Sequence, residues 1–132
     1  MERKYRTLNK TVSCIEYHIV LCTRYRRKIF SDPCVEKRFK ELVEIRCKEL
    51  SIEVLSIDCH PDHVCLFLNC LHTFSPYDIA KAIRYYTTPI IKSEFESLSK
   101  IPNLWIKNFL VSTYDIDEKT ISDFISVQRL NR

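Results

Sequence analysis

The sequence contains no glycine, although about nine would be expected at average usage in a chain of 132 residues. Turns that need a positive φ must therefore be built from asparagine, aspartate or serine. Long apolar runs are also absent, since none approaches the roughly 18 residues that cross a bilayer, and the N-terminal segment MERKYRTLNK has no apolar signal-peptide core. These absences predict a protein that is neither exported nor inserted in a membrane, and they favour the cytoplasm.

Cysteine pairs with the spacing of redox or zinc motifs are missing as well. The seven cysteines occur singly, no C-x-x-C is present, and most of them lie in apolar runs. An odd number of such residues indicates reduced, buried thiols rather than a disulfide framework. With 45% hydrophobic and 29% charged residues, the chain has the composition of a globular protein. Its length predicts one domain over residues 1–132.

Positive charge is concentrated locally, although the net charge is only +4. The segment TRYRRK, residues 23–28, places four cations around a tyrosine. Basic side chains interleaved with an aromatic ring can hold phosphates while the ring stacks on a base. A solvated loop between two elements explains the same residues equally well. The candidate nucleic-acid contacts in this segment are Arg24, Tyr25, Arg26, Arg27 and Lys28.

The hydrophobic pattern predicts the order β-α-β-β-α-β-α. Strands are expected at 12–22, 52–58, 63–70 and 109–114, and helices at 31–50, 75–98 and 118–130. Pro89 is expected to kink or break the second helix, and Asp115 or Asp117 to cap the last one. This order predicts an α+β fold of the ferredoxin-like split β-α-β type. Its antiparallel sheet carries helices on one face, with an additional C-terminal helix.

The strand beginning at His63 carries an imidazole and a thiol on one face, because successive strand residues point to opposite sides. His63 and Cys65 could hold a metal if a third ligand arrives from elsewhere. From these residues alone, a hydrogen-bonded histidine beside a buried cysteine is the favoured interpretation. A zinc site from Cys59, His60, His63 and Cys65 is also conceivable, but its spacing does not match the usual zinc motifs.

Four segments in order resemble one protein family. They read EYHIVLCTRYRRKIF, IEVLSIDCHPDHVCLFLN, NLWIKNFLVSTY and ISDFISVQ. The chain resembles the small single-tyrosine transposases of the HUH class, the TnpA type of simple insertion sequences, and their REP-associated relatives. The second segment is similar to the hairpin that carries the family's D-H-V-H motif. The resemblance runs from about residue 12 to residue 128.

The resemblance implies a homodimer that binds single-stranded DNA folded into hairpins at the ends of the element. In the family, two histidines and a helix glutamine hold Mg²⁺ or Mn²⁺, and a helix tyrosine attacks the scissile phosphate. By position, His63 matches the first histidine and Gln128 matches the glutamine. Cys65 occupies the position at which the second histidine is expected. Phe124 stands where the tyrosine is expected.

These departures predict a protein that binds DNA but has lost cleavage and strand transfer. A phenyl ring has no nucleophilic atom, and a thiolate suits Zn²⁺ far better than Mg²⁺ or Mn²⁺. Lys81 and Arg84, with the basic segment, are the expected DNA contacts. Two alternatives remain open. One is an active transposase that uses a substitute tyrosine (Tyr85, Tyr86 or Tyr114), and the other is a zinc-binding or protein-interaction module without DNA function.

Overall fold

The computed structural model describes residues 3–130, with side chains for residues 3–127. The strands are β1 (Arg6–Leu8), β2 (Thr11–Ser13), β3 (Ile15–Cys22), β4 (Glu53–His60), β5 (His63–Cys70) and β6 (Leu110–Ser112). The helices are α1 (Pro33–Glu49), α2 (Pro76–Glu94), α3 (Glu96–Ser99) and α4 (Glu118–Leu130). Within residues 3–130, no helix has both the length and the apolar character that a membrane crossing requires.

Four strands form one antiparallel sheet in the order β4-β5-β3-β6. With α1 between β3 and β4, and α2 between β5 and β6, this is the ferredoxin-like connectivity that the sequence predicted. The α+β fold class is therefore confirmed. The main core lies between the sheet and the helix pair, where alternate residues of β5 (Val64, Leu66, Leu68) are fully buried. The intervening residues point to the opposite face, which α4 partly covers.

Local sequence signals explain where the two long helices begin. Asp32 accepts a hydrogen bond from the Cys34 backbone N–H at 2.9 Å and caps α1. Ser75 and Asp78 form a capping box at the start of α2. The predicted apolar stripe of α1 is buried. It consists of Val35, Phe39, Leu42, Val43 and Cys47.

The break predicted at Pro89 does not occur, because α2 continues through this residue to Glu94. A proline inside a helix costs about 3 kcal/mol. Burial of an isoleucine side chain contributes about 1.5–3 kcal/mol, and Ile83 and Ile91 on either side of Pro89 are at most 2% exposed. Pro89 itself is exposed, so its ring displaces no core residue. Core packing therefore outweighs the local penalty.

Strand boundaries and turn residues differ in part from the predictions. The strand predicted over 12–22 is divided at Cys14, and the N-terminal hairpin of β1 and β2 was not predicted. Asn9 and Ser51 adopt positive φ as the absence of glycine requires. Tyr25 and Arg26 do so as well, at φ of 61° and 53°. Bulky residues avoid this left-handed backbone conformation, so contacts with other parts of the chain must hold the basic segment in it.

Candidate functional site

The face of the sheet under α4 carries the candidate ligands. The short turn at Pro61 and Asp62 pairs His60 of β4 directly with His63 of β5. The next pair on the same face is Asp58 with Cys65. A two-residue turn and the alternation of strand side chains thus place two imidazoles and a thiol on one surface.

A carboxylate orients His63. Nδ1 of His63 lies 2.8 Å from Asp62 Oδ1, and Arg26 Nε donates to Asp62 Oδ2 at 2.9 Å. Burial would raise the pKa of Asp62, which is 8% exposed, but the hydrogen bonds from His63 and Arg26 hold it below its ordinary value. Because Nδ1–H donates to this carboxylate, Nε2 of His63 keeps its lone pair for a metal or a proton.

The basic segment is tied to the same turn through the backbone. The backbone N–H of the buried Thr23 donates to the Asp62 carbonyl at 3.0 Å. Thr23 Oγ1 lies 3.0 Å from that carbonyl and 2.8 Å from the carbonyl of Arg27. Together with the Arg26–Asp62 pair, these contacts stabilise the positive φ of Tyr25 and Arg26. Residues 23–28 are therefore fixed beside His63.

Three potential metal ligands meet on the hairpin. One donor atom from each of His60, His63 and Cys65 lies within 4.8 Å of the other two. The two imidazole rings stack, with centroids 4.4 Å apart and planes 9° apart. Burial, with a smaller contribution from Asp58, raises the pKa of Cys65 to about 11. Cys59 pairs with Val64 on the opposite face and packs against the core, so it does not join the four-residue set considered from sequence.

Helix α4 closes one side of this surface. A cavity of about 400 Å³ lies between the helix and the hairpin. Its lining residues are Arg26, His60, Asp62, His63, Glu118, Ile121, Ser122, Ile125 and Ser126. Helix α4 and the hairpin thus come together within one chain.

Phe124 is not among the residues that line the cavity. Its half-buried ring packs against a small cluster of Cys22, Ile106 and Ile125. On a helix with about 100° per residue, Phe124 lies about 160° from Ser122 but only about 60° from Ile121, and both of these residues line the cavity. Cys22 pairs with His63, and Ile125 also lines the cavity, so this cluster adjoins both the candidate ligands and the cavity. Gln128 belongs to α4, and its side chain lies outside the described residues.

The predicted DNA contacts of the basic segment have different surroundings. The guanidinium groups of Arg24 and Arg27 lie 5.4 and 5.1 Å from the centre of the Tyr25 ring, which is 53% exposed. Lys28 is exposed. Arg26, in contrast, forms the ion pair with Asp62. Four of the five predicted contacts are therefore presented beside the cavity, while Arg26 supports the site.

Lys81 and Arg84 lie on α2, on the other side of the sheet from His63. Lys81 is exposed, with its Nζ 5.4 Å from the centre of the Tyr85 ring. Arg84 is half-buried and donates to the carbonyls of Ile106 and Lys107 at 2.9 and 3.2 Å. Burial lowers the pKa of Arg84. Arg84 thus fastens the segment before β6 to α2.

The three substitute tyrosines lie away from the cavity. Tyr85 and Tyr86 belong to α2, which packs on the opposite face of the sheet. Tyr114 follows β6 at the sheet edge and is 78% exposed. None of these three side chains lines the cavity beside His63.

Solved structures of similar fold were found. A candidate transposase of Deinococcus radiodurans R1 is 21% identical, with a TM-score of 0.77 over 96% of this chain and 98% of that one. A REP-associated tyrosine transposase bound to a REP hairpin is 11% identical, with a TM-score of 0.59 over 89% of this chain and 67% of that one. These likenesses establish the fold.

Sequence comparison identifies the family. No protein among the curated ones matches this chain significantly. The model of the family described as IS200-like transposase matches residues 11–128, and this range contains all four segments in which the resemblance was recognised. The chain therefore belongs to the IS200-like transposase family.

Proposed function

We propose that this protein binds single-stranded DNA hairpins of the kind found at insertion-sequence ends, and that it no longer cleaves or transfers strands. The observation that carries the proposal is Phe124. In the family resemblance this position supplies the attacking tyrosine oxygen, but here its phenyl ring packs among Cys22, Ile106 and Ile125. A carbon ring in an apolar cluster cannot form a covalent link to phosphate.

The candidate metal site supports the same conclusion. The resemblance assigns Mg²⁺ or Mn²⁺ to His63, Gln128 and a second histidine, yet position 65 is a cysteine with a raised pKa. Mg²⁺ requires oxygen ligands in near-octahedral geometry and binds thiols poorly. Such an ion, if bound, would polarise a phosphate oxygen, but the residues present fit it badly.

Retention of DNA binding is supported by the basic segment. Arg24 and Arg27 lie beside the exposed Tyr25 ring, Lys28 is exposed in the same segment, and the segment is held beside the cavity through Asp62. Guanidinium and ammonium groups would contact phosphates, and the tyrosine ring would stack on an unpaired base. The hairpin held by the REP-associated relative suggests the form of the DNA. We further propose a homodimer, as the family implies.

A covalent-adduct assay tests the loss of cleavage. The full chain is incubated with labelled single-stranded hairpin DNA and Mg²⁺, Mn²⁺ or Zn²⁺, and the products are separated on native and denaturing gels. We expect a retarded complex on the native gel and no protein–DNA adduct on the denaturing gel. An adduct formed by the unmodified chain would contradict the loss of cleavage, and the absence of any retarded complex would contradict binding.

Restoring the family residues gives the reciprocal test. The double variant Phe124→Tyr with Cys65→His supplies both a nucleophile and a second imidazole, so we expect it to regain a Mn²⁺-dependent adduct. Phe109→Tyr with Cys65→His is the matched control, because it keeps the second imidazole and adds the same hydroxyl outside α4. If this control produced the adduct, the assignment of position 124 would be wrong.

A further inference from the structure

We infer that His60, His63 and Cys65 form a binding site for one thiophilic divalent cation, of which Zn²⁺ is the best match. His60 is absent from the ligand set that the family resemblance gives, and zinc is a different class of ion. The inference concerns metal binding alone, so it stands or falls independently of DNA binding.

The hairpin geometry places the three ligands. The short turn makes His60 the direct neighbour of His63, and Cys65 follows His63 on the same face. Their donor atoms lie within 4.8 Å of one another. A tetrahedral zinc ion with bonds of about 2.0–2.3 Å needs its ligand atoms about 3.3–3.8 Å apart. The donor atoms are therefore near these distances, and side-chain rotation is needed to reach them.

His60 is the ligand that must move. Its ring now lies parallel to that of His63, and a metal binds in the plane of an imidazole. His60 is exposed, so its ring can tilt out of the stack without disturbing the core. His63 is already oriented, since its Nδ1 is held by Asp62 and Asp62 is held by Arg26. Such a carboxylate behind a histidine is the usual support of a zinc ligand.

The donor set determines the choice of ion. Two imidazoles and one thiol fit Zn²⁺ or Co²⁺, whereas Mg²⁺ and Ca²⁺ require oxygen ligands. Binding transfers the Cys65 thiol proton to the solvent and forms a metal–sulfur bond. Three protein ligands leave one tetrahedral position for water or an anion. His60 and His63 both border the cavity beneath α4, from which such a molecule can arrive.

Metal titration of the full chain tests the site. After treatment with a chelator, Co²⁺ is added as a spectroscopic probe and Zn²⁺ is then titrated by calorimetry. We expect one equivalent of Co²⁺, a sulfur-to-cobalt charge-transfer band, and displacement of Co²⁺ by Zn²⁺. Mg²⁺ should give no saturable binding over the same concentrations. If the chain binds neither Co²⁺ nor Zn²⁺ in the micromolar range, the inference is overturned.

Variants distinguish this site from other thiols. Each of the variants His60→Ala, His63→Ala and Cys65→Ser should weaken Zn²⁺ binding about 100-fold or more. Loss of a residue that only hydrogen-bonds a ligand already costs about 10–100-fold in affinity, and loss of the ligand itself should cost more. Cys59→Ser, on the opposite face of β4, and the exposed Cys34→Ser are matched controls that should leave affinity unchanged. Unchanged affinity in His60→Ala, or a loss in either control, contradicts the assignment. Since His60 is exposed, its variant tests the ligand role without a folding defect.

Discussion

Among single residues, Asp62 makes the most consequential contacts. Its carboxylate joins the basic segment to the candidate ligands, because one oxygen accepts from Arg26 and the other contacts His63. Its backbone carbonyl also accepts from the Thr23 N–H. One side chain thus fixes both the ring of His63 and the position of the segment proposed to bind DNA.

We therefore expect Asp62→Ala to lower the free energy of unfolding by about 2–4 kcal/mol. The substitution removes two charge-assisted hydrogen bonds and leaves Arg26 without its partner. Urea denaturation followed by circular dichroism measures the change. Asp58→Ala is the control, because Asp58 lies on the same face of the hairpin but is exposed. Equal destabilisation by both substitutions would show that the Arg26–Asp62–His63 contacts contribute little.

Part of the candidate site could be predicted at this scale. The alternation of strand residues correctly places His63 and Cys65 on one face. His60 required knowledge of the turn, because only a two-residue connection makes it the neighbour of His63. Arg26 was predicted as a DNA contact, and its ion pair with Asp62 is an additional contact that the sequence did not indicate. That pairing depends on a loop with positive φ at two bulky residues, which local propensity argues against.

Among the elements, α4 packs over the hairpin and lines one side of the cavity. It begins where the sequence predicted, since the Thr120 N–H donates to Asp117 Oδ1 at 2.8 Å. Among its side chains described up to Val127, Ile121, Phe124 and Ile125 pack in the small cluster with Cys22 and Ile106, and others line the cavity. The cap adds a hydrogen bond at the first turn, where backbone N–H groups lack partners within the helix.

The cap makes the stability of α4 dependent on pH. The hydrogen bonds from Thr120 lower the pKa of Asp117 below its ordinary value of about 3.9. The stabilisation is therefore fully present above the ordinary pKa and is lost as the pH falls through the lowered one. We expect native-state amide protection in α4 to fall with acidification in the unmodified chain, and to change less in Asp117→Asn, whose amide oxygen still caps the helix.

Asp123→Asn is the control for this experiment, because Asp123 lies on the same helix and contacts only Lys119 among the described side chains. It should retain the acid-dependent loss of protection. If Asp117→Asn and the unmodified chain lost protection equally, the cap would not be the titrating group.

The elements of the fold were more predictable than their ends. Periodicity identified the main strands and helices in the correct order, because each one buries a regular apolar face. Pro89 and the division near Cys14 were not predictable, since core packing and cross-strand pairing decide them. The orientation of Phe124 was also beyond the sequence. Helical spacing places Phe124 near Ile121 and Ile125, but only tertiary contacts show which side faces the hairpin.

At the scale of the whole molecule, the distribution of charge matters more than its total. A net charge of +4 is too small to indicate a nucleic-acid partner. The arginines and lysine at 24–28 are nevertheless held together at one end of the sheet, beside the cavity, by Thr23 and Asp62. The fold thereby fixes the cations of this segment beside the cavity, with the charge of Arg26 paired to Asp62.

The salt dependence of hairpin binding distinguishes an effect of these local cations from a general charge effect. Each phosphate contact on a single strand contributes about 0.7 to the slope of log affinity against log salt concentration. The triple variant Arg24→Ala, Arg27→Ala, Lys28→Ala should therefore reduce the slope by about 2, as measured by fluorescence anisotropy over a range of salt concentrations.

The control removes three exposed cations elsewhere, Lys37, Lys48 and Lys100, and changes the net charge equally. If both triple variants reduced the slope alike, the attraction would come from total charge, and the basic segment would have no special place in DNA recognition. A reduction confined to the first variant identifies the segment beside His63 as the surface that meets the phosphates.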